Sequence, residues 1–507
     1  VQKLKDLLFG KRTEKNNQPK DKDEPPPDNP GDPGGPLPED LEVATEASAT
    51  QEALSGELDD FEEPATLFKH PGHGRRGNLS WENAEIFFHR HSTLHTGEPC
   101  PKCHRGTLYQ YTTPGVWVRY VGQAPLAAEV HKLERLRCSG CTEVFTATPP
   151  EELRRNSSAT PEARAVAAVI KYQAATPFNR FAQIQKSFGQ CIPRTAIWTL
   201  CKEMSDYLSA PYFELEKLAA QGDLVQNDDT TVRILALMKE NKTAEQVGKP
   251  LKRTGMFTTG IISRVQEHKI YLFFSSRKHA GENLADLLDL RETVHPPLTQ
   301  VCDASDMNTT LGDHITEVGG CHDHARRKFY EILSSFPKSC GYALGEWKKV
   351  YHTDKIAKKR NLSPEDRMLL HQKISRPALE RLRTWSLKMI KDKCVDPRGH
   401  LAKAMQYFIN NYEELTLFLR KPDVYISNCA VEQALKMPIG VRKMAYFYKT
   451  SVGAKVSDII FSFIATCLAA DVNIFEYFVA VQNHVAEVKA APELWLPWNY
   501  HQQLASV

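Results

Sequence analysis

Four runs between residues 224 and 303 decide the fold: LVQNDDTTVRILALM (224–238), GMFTTGIISRV (255–265), KIYLFFSS (269–276) and TQVCD (299–303). Each mixes apolar and β-branched residues in a short stretch, the composition of a strand. A helix at about 280–291 precedes the last of them. Asp228 stands in the first run and Asp303 ends the fourth. A third acid, Glu432 in NCAVEQALK (428–436), lies far downstream on a segment with helical spacing.

Three consecutive strands, a helix and a further strand is the order in which a ribonuclease-H-like sheet is laid down; a generic α/β domain is the plainer reading. Hard cations such as Mg²⁺ take oxygen ligands, and a site that grips two of them needs converging carboxylates. Two strands and a distant helix supply Asp228, Asp303 and Glu432. A two-metal site of this kind stabilises the attacking and leaving oxygens of an in-line displacement at phosphorus. The chain has 62 acidic residues, and most acidic side chains are solvated surface, so the triad draws its weight from its surroundings.

The balance of 65 basic to 62 acidic residues hides an asymmetry. Residues 21–63 carry fifteen Asp or Glu against one basic residue, Lys22, a net of −14; residues 1–20 carry +4. The whole-chain +3 therefore leaves +13 for residues 64–507. A basic body with a detached acidic segment suits a polyanionic partner. No apolar run is expected to approach the ~20 residues of a membrane span, and the charged start lacks a signal-peptide core. Twelve cysteines, four of them in two CxxC pairs, suit metal ligation in a reducing compartment, so a cytosolic protein without a membrane partner is expected. The chain opens on Val rather than Met, which points to missing N-terminal residues or an unusual start codon.

Residues 1–15 read as the end of a helix, with Val1, Leu4, Leu7 and Leu8 at helical spacing. Residues 16–65, rich in Pro, Asp and Glu, read as a disordered acidic linker. Residues 66–150 hold Cys100-Pro-Lys-Cys103 and Cys138-Ser-Gly-Cys141, two knuckles suited to tetrahedral Zn²⁺; four free buried cysteines would be the bland alternative. With YQYTTPGVWVRY and KLERLRC alternating between them, a zinc ribbon with a structural ion is expected. Residues 151–212 give a helical start at Thr160-Pro161-Glu162, then FNRFAQIQKSFG, a turn around Gly189, and PRTAIWTLCKEMSDYL. That is a helix-turn-helix pattern with Arg194, Thr195 and Trp198 near the start of the second helix; three-helix packing without DNA gives the same pattern.

Residues 321–425 read as a basic helical insertion between two parts of the catalytic fold, 213–320 and 426–480, with 481–507 as a C-terminal tail. Segment 321–400 holds nineteen basic and nine acidic residues. Its start, His322-Asp-His324-Ala-Arg326-Arg327-Lys328, repeats on a helical period and suits phosphate contacts. A solvated helical face is the plainer reading of any one cluster. Downstream come a helix around Glu432, an irregular PIGVRKMAYFYKT (438–450) and the apolar helix VSDIIFSFIATCLAA.

Taken in order, these residues resemble the transposases of the insertion-sequence sixty-six family, the bacterial Asp-Asp-Glu enzymes. LLFGKRTEK (7–15) resembles the family's FGRRSE motif, and PGHGRRG with CPKCHRGTLY and LRCSGC resembles its zinc-finger region. NDDTTVRIL resembles its ADETPV strand, VCDASDMN its second-carboxylate motif, and GGCHDHARRKFYE its CxAHxRRKF signature. SNCAVEQALKMPIGVRKMAYFYKT resembles the block carrying the third carboxylate, and LWLPWN the closing LLPWN. Asp229, Thr231, Ala304-Ser305-Asp306 and Gln433 depart from the family pattern, and Asp306 thereby competes with Asp303 as second ligand.

The resemblance implies a DNA transposase that cleaves transposon ends and transfers strands into target DNA, using two Mg²⁺ (or Mn²⁺) ions on Asp228, Asp303 and Glu432. It implies phosphate contacts from Arg326, Arg327, Arg442 and Lys443. It implies double-stranded DNA as partner, at least a dimer in a synaptic complex, element-encoded accessory proteins, and a cytoplasmic, nucleoid-associated bacterial protein. His324 is left between three roles: orienting a scissile phosphate or metal-bound water, packing, or joining Cys302 or Cys321 in a second metal site. A domesticated, non-catalytic DNA-binding protein and a stand-alone metal-dependent nuclease are the competing expectations.

Overall fold

The computed structural model describes residues 93–109, 123–137, 144–148, 159–249, 251–303, 305–310 and 313–505. Within these, residues 93–127 belong to one compact unit and residues 128–505 to another. The expected N-terminal helix end, the acidic linker, PGHGRRG, Cys138 and Cys141 lie outside the described residues.

In the smaller unit the first knuckle is a tight turn. Pro99 bridges Thr107, the Cys100 N–H donates to the Gly106 carbonyl at 2.7 Å, and the His104 N–H donates to the Cys100 carbonyl at 2.9 Å. In the larger unit two short antiparallel strands, β1 (Arg135–Arg137) and β2 (Val144–Thr146), flank the second pair of cysteines.

Four helices follow: α1 (Pro161–Ala168), continued by a π-helical turn Val169–Gln173, α2 (Phe178–Ser187), α3 (Arg194–Tyr207) and α4 (Ser209–Ala220). Thr160 caps α1 by accepting from the Ala163 N–H, with Pro161 in the first turn. Between α2 and α3 the chain turns at Gly189, whose φ of +79° is open to glycine at little cost.

Next come β3 (Leu224–Thr231), α5 (Leu235–Gln246), β4 (Phe257–Val265), β5 (His268–Ser276), α6 (Ala280–Leu288), β6 (Leu298–Cys302) and β7 (Ile315–Gly320). One strand was expected over 224–238, but it ends at Thr231 and residues 235–246 form a helix. Leu235 to Glu240 are all strong helix formers, and the Leu235 and Ala236 N–H groups donate to the carbonyls of Tyr448 and Lys449. The strand β7 (ITEVGG) is short and ends in two glycines, which weaken its strand signal in sequence.

The basic segment is α7 (His322–Tyr330), α8 (Pro337–Lys359), α9 (Pro364–Lys391), α10 (His400–Asn410) and the short α11 (Tyr412–Leu415). The chain returns through α12 (Cys429–Ala445), α13 (Ser451–Ala469), α14 (Ile474–Asn483), α15 (Val485–Ala490) and α16 (Tyr500–Leu504). Residues 438–445, expected to be irregular, continue α12 through Pro438. The proline forfeits one helical hydrogen bond, but Val431, Leu435, Pro438 and Val441 form one buried stripe on the sheet that offsets it.

The five-stranded sheet has the order β5-β4-β3-β6-β7. The β5–β4 and β4–β3 pairings are antiparallel; β3–β6 and β6–β7 are parallel. Its outer edge at β5 is closed by side chains of α13. The N–H groups of Ser275, Phe273 and Tyr271 donate to Asp458 (2.8 Å), Ser462 (3.1 Å) and Thr466 (3.1 Å), three residues spaced one helical turn apart. This hides an edge that would otherwise pair with another chain. The helix α13 is 19 residues long, and an 18-residue window of it has a mean hydropathy of 1.6, enough by length and composition to cross a membrane even with Lys455 and Asp458 in the helix. Here 72% of it is buried against the protein.

The helical segment shares its core with the sheet. Phe329, Trp347, Leu382 and Phe408 pack in one cluster with Leu224 of β3 and Val301 of β6. The four early helices are tied to the C-terminal ones: buried Arg164 donates to Glu203 Oε2 (2.6 Å) and to Gln482 Oε1 on α14 (3.3 Å).

Candidate functional site

Asp228 faces the same side of β3 as Leu224 and Gln226, and its register partner on β4 is Gly260. A Cβ built on Gly260 would lie 3.2 Å from atoms of both Leu435 and Val431. The missing side chain therefore lets α12 seat closely on the sheet, which brings Glu432, in the first turn of α12, over Asp228. Asp303 follows directly on β6, the parallel neighbour of β3.

One side chain joins the two aspartates. Asn308 Nδ2 donates to Asp303 Oδ1 at 2.7 Å and to Asp228 Oδ1 at 3.2 Å. Asn308 is itself fixed through its carbonyl, which accepts from Asn227 Nδ2 and Gln300 Nε2, both at 2.7 Å. Gln300 also donates to Asn227 Oδ1, and Asn428, just before α12, donates to the Asn227 carbonyl. Strand, loop and helix are thus held in one buried amide network.

Burial pushes the Asp228 carboxyl up to about 7; the charges of Asp303 and Glu432 add to that rise, while the Asp229 N–H opposes it. Asp303 and Glu432 thus act on the part-buried Asp228 through their charges, and carboxylate oxygens are the donors that a hard divalent cation takes. Asp306 is exposed, and among the described residues nothing ties it to Asp228. Asp229 turns away to His279, whose Nδ1 lies 2.8 Å from its Oδ2.

His324, in the first turn of α7, reaches the same place. Its Nδ1 lies 3.7 Å from Glu432 Oε1, too long for a hydrogen bond, and both atoms are buried without a partner. Cys321 is adjacent and accepts from the Asn428 N–H at 3.3 Å; Cys302 instead lies 3.9 Å from Thr309 Oγ1. His322 is structural. Trp347 Nε1 donates to its Nδ1, which leaves Nε2–H to donate to the Leu415 carbonyl, and burial lowers its pKa to about 4.

The expected phosphate contacts divide. Arg327, Lys328, Lys443, Arg194 and Thr195 are exposed. Arg326 lies over the rings of Tyr330 and Tyr351. Arg442 uses its Nη1 on the end of β3, donating to Thr230 Oγ1 (3.0 Å) and Thr231 Oγ1 (2.9 Å), so it fastens α12 to the strand of Asp228. Beside the first turn of α12 is a cavity of about 310 Å³ lined by Arg264, Lys269, Tyr271, Arg367 and Tyr425 among others. In the first knuckle, N–H groups of Arg105 and Gly106 hold the Cys103 thiol below its usual range.

Sequence reading missed Asn308, Gly260 and Asn428. Asn308 lies inside the quoted VCDASDMN, but its bridging role needs both aspartates in place. Gly260 could be found only from the sheet register.

Comparison with known proteins adds a family. A model described as "Transposase IS66 family" matches residues 156–456 of the 507. Two similar proteins of Sinorhizobium fredii (strain NBRC 101917 / NGR234) carry only the names uncharacterized protein y4hP and y4qI. They are 27% identical over 201 residues (37% of this chain) and 21% identical over 194 residues (38%). The chain spans about a third of the length of each, 36% and 35%.

Proposed function

The chain belongs to the IS66 transposase family, and from that premise we propose that it cleaves DNA at transposon ends and joins them to target DNA through an Asp-Asp-Glu site. What supports this most is that Asn308 bridges Asp228 and Asp303, on two parallel-paired strands, and that the charge of Glu432 on α12 reaches Asp228. The mixed sheet, with its central β3 flanked by β4 and β6, supports a ribonuclease-H-like reading.

Asp228, Asp303 and Glu432 would hold the hard cations, and Asn308 sets the spacing of the two aspartates. Mg²⁺, or Mn²⁺ in its place, would supply activation of water or a 3′-OH and stabilisation of the leaving oxygen. Exposed Arg327, Lys328 and Lys443 would contact phosphates, while Arg442 positions α12. The basic and aromatic cavity beside α12 offers a nearby path for a strand. We extend the proposal to a structural Zn²⁺ with Cys100 and Cys103 among its ligands, which the N–H-stabilised Cys103 supports. Exposed Arg194 and Thr195 at the start of α3 support a helix-turn-helix reader of the terminal repeats. Two-ended recognition calls for at least a dimer, with accessory proteins of the element, acting at the nucleoid.

The test is strand transfer with a labelled duplex of the element's end, Mg²⁺ or Mn²⁺, the accessory proteins, and Asp228→Ala as control. Joined product that disappears in the variant is expected. End binding without nicking or joining would overturn the enzymatic reading, and nicking without joining would leave a nuclease.

A further inference from the structure

Beside the all-oxygen site lies a second donor set of different chemistry. Cys321 precedes α7, His324 is in the first turn of that helix, and Glu432 is in the first turn of α12. One ligand atom from each, a sulfur, a ring nitrogen and a carboxylate oxygen, all lie within 4.8 Å of one another. Cys321 is buried, at 2% exposure.

Two observations point to a ligand between them. His324 Nδ1 and Glu432 Oε1 face each other at 3.7 Å, both buried and both without a hydrogen-bond partner. Buried polar atoms are almost always satisfied, and leaving them unpaired is costly. The sulfur already accepts from the Asn428 N–H, so it is presented as an acceptor and is tied to the segment that starts Glu432's helix. Sulfur, imidazole and carboxylate from three residues, with a fourth position left over, is a donor set for Zn²⁺ and related thiophilic ions. Mg²⁺ does not take such a set.

We propose that Cys321, His324 and Glu432 bind a thiophilic divalent cation of the Zn²⁺ type, and that its occupation weakens the adjoining hard-cation site by neutralising the glutamate they share. The binding stands on this geometry alone; its effect on cleavage rests on the transposase reading. Glu432 then couples the two sites with opposite sign, so a thiophilic ion acts as an inhibitor.

Co²⁺ serves as the optical probe on the full chain stripped of metal. Wild type is expected to take up one more Co²⁺ per chain than Cys321→Ser, with a sulfur-to-cobalt charge-transfer absorption in the difference spectrum. The two CxxC pairs contribute equally to both proteins and cancel. His324→Gln should show the same loss of one ion, which guards against a folding defect peculiar to one variant. Equal uptake and superimposable spectra in all three would overturn the site. In a second arm, Zn²⁺ is expected to raise the Mn²⁺ concentration for half-maximal end cleavage about tenfold in wild type and not in Cys321→Ser. Equal inhibition of both proteins would overturn the coupling. Absence of cleavage under every condition would strike the transposase reading and leave the cobalt result to decide the site.

Discussion

Asn308 is the residue on which the two aspartates depend. Its amide donates to both, and its carbonyl is held by Asn227 and Gln300, so it fixes Asp228 relative to Asp303 without reacting itself. Groups that orient metal-binding side chains are commonly worth 10–100-fold in affinity or activity. Asn308→Ala is therefore expected to lower strand transfer, and Mn²⁺ affinity measured by calorimetry, by about that factor. The circular-dichroism spectrum should be unchanged; full activity in the variant would show that the bridge is dispensable. His322 and His324, two residues apart, illustrate how environment separates similar side chains. One is saturated by Trp347 and Leu415, while the other has a buried nitrogen with no partner.

At the scale of elements, α12 joins the candidate site to the sheet. It carries Glu432, and its buried stripe rests on the strand pair that holds Asp228. Contact at Gly260 is so close that a side chain there would meet Leu435 and Val431 at 3.2 Å. Gly260→Val is expected to push α12 off the sheet. The expected cost is about 1–3 kcal/mol in urea unfolding, with a larger proportional loss of strand transfer than of stability. A variant with wild-type activity would mean that Glu432 does not depend on this seating. The helix α7 delivers Cys321 and His324 from its start, while Ala325 and Phe329 further along it are locked into the insertion core.

Across the whole molecule, the sheet is closed at one edge by α13 and continuous at the other with the core of the helical segment. The edge closure includes a buried acid. Asp458 accepts from the Ser275 N–H and hydroxyl, and burial raises its carboxyl from 3.8 to about 7. Below about pH 4 both folded and unfolded chains hold this proton. Between pH 4 and 7 the unfolded chain releases it first, so stability falls as pH rises and levels off above 7. The loss should be on the order of a few kcal/mol. In Asp458→Asn that part of the slope should vanish, which denaturant unfolding at several pH values would reveal; identical slopes would exclude Asp458 as its source. How much of all this was legible in sequence follows from the range of the interactions. Four of the five sheet strands, the CxxC pairs, the helix start at Thr160-Pro161, the basic helices and the three acidic positions were readable, because each is a local pattern of propensity, spacing or charge. The end of β3 at Thr231, the passage of α12 through Pro438 and the burial of α13 were not, because packing against distant segments overrode local preference. Sequence by itself determined which carboxylates and cysteines are present and on what kind of element. Only the tertiary structure decided that Asn308 bridges Asp228 and Asp303, that the charge of Glu432 reaches Asp228, and that Cys321 and His324 lie beside Glu432, because strand register and the close approach at Gly260 join residues some two hundred positions apart.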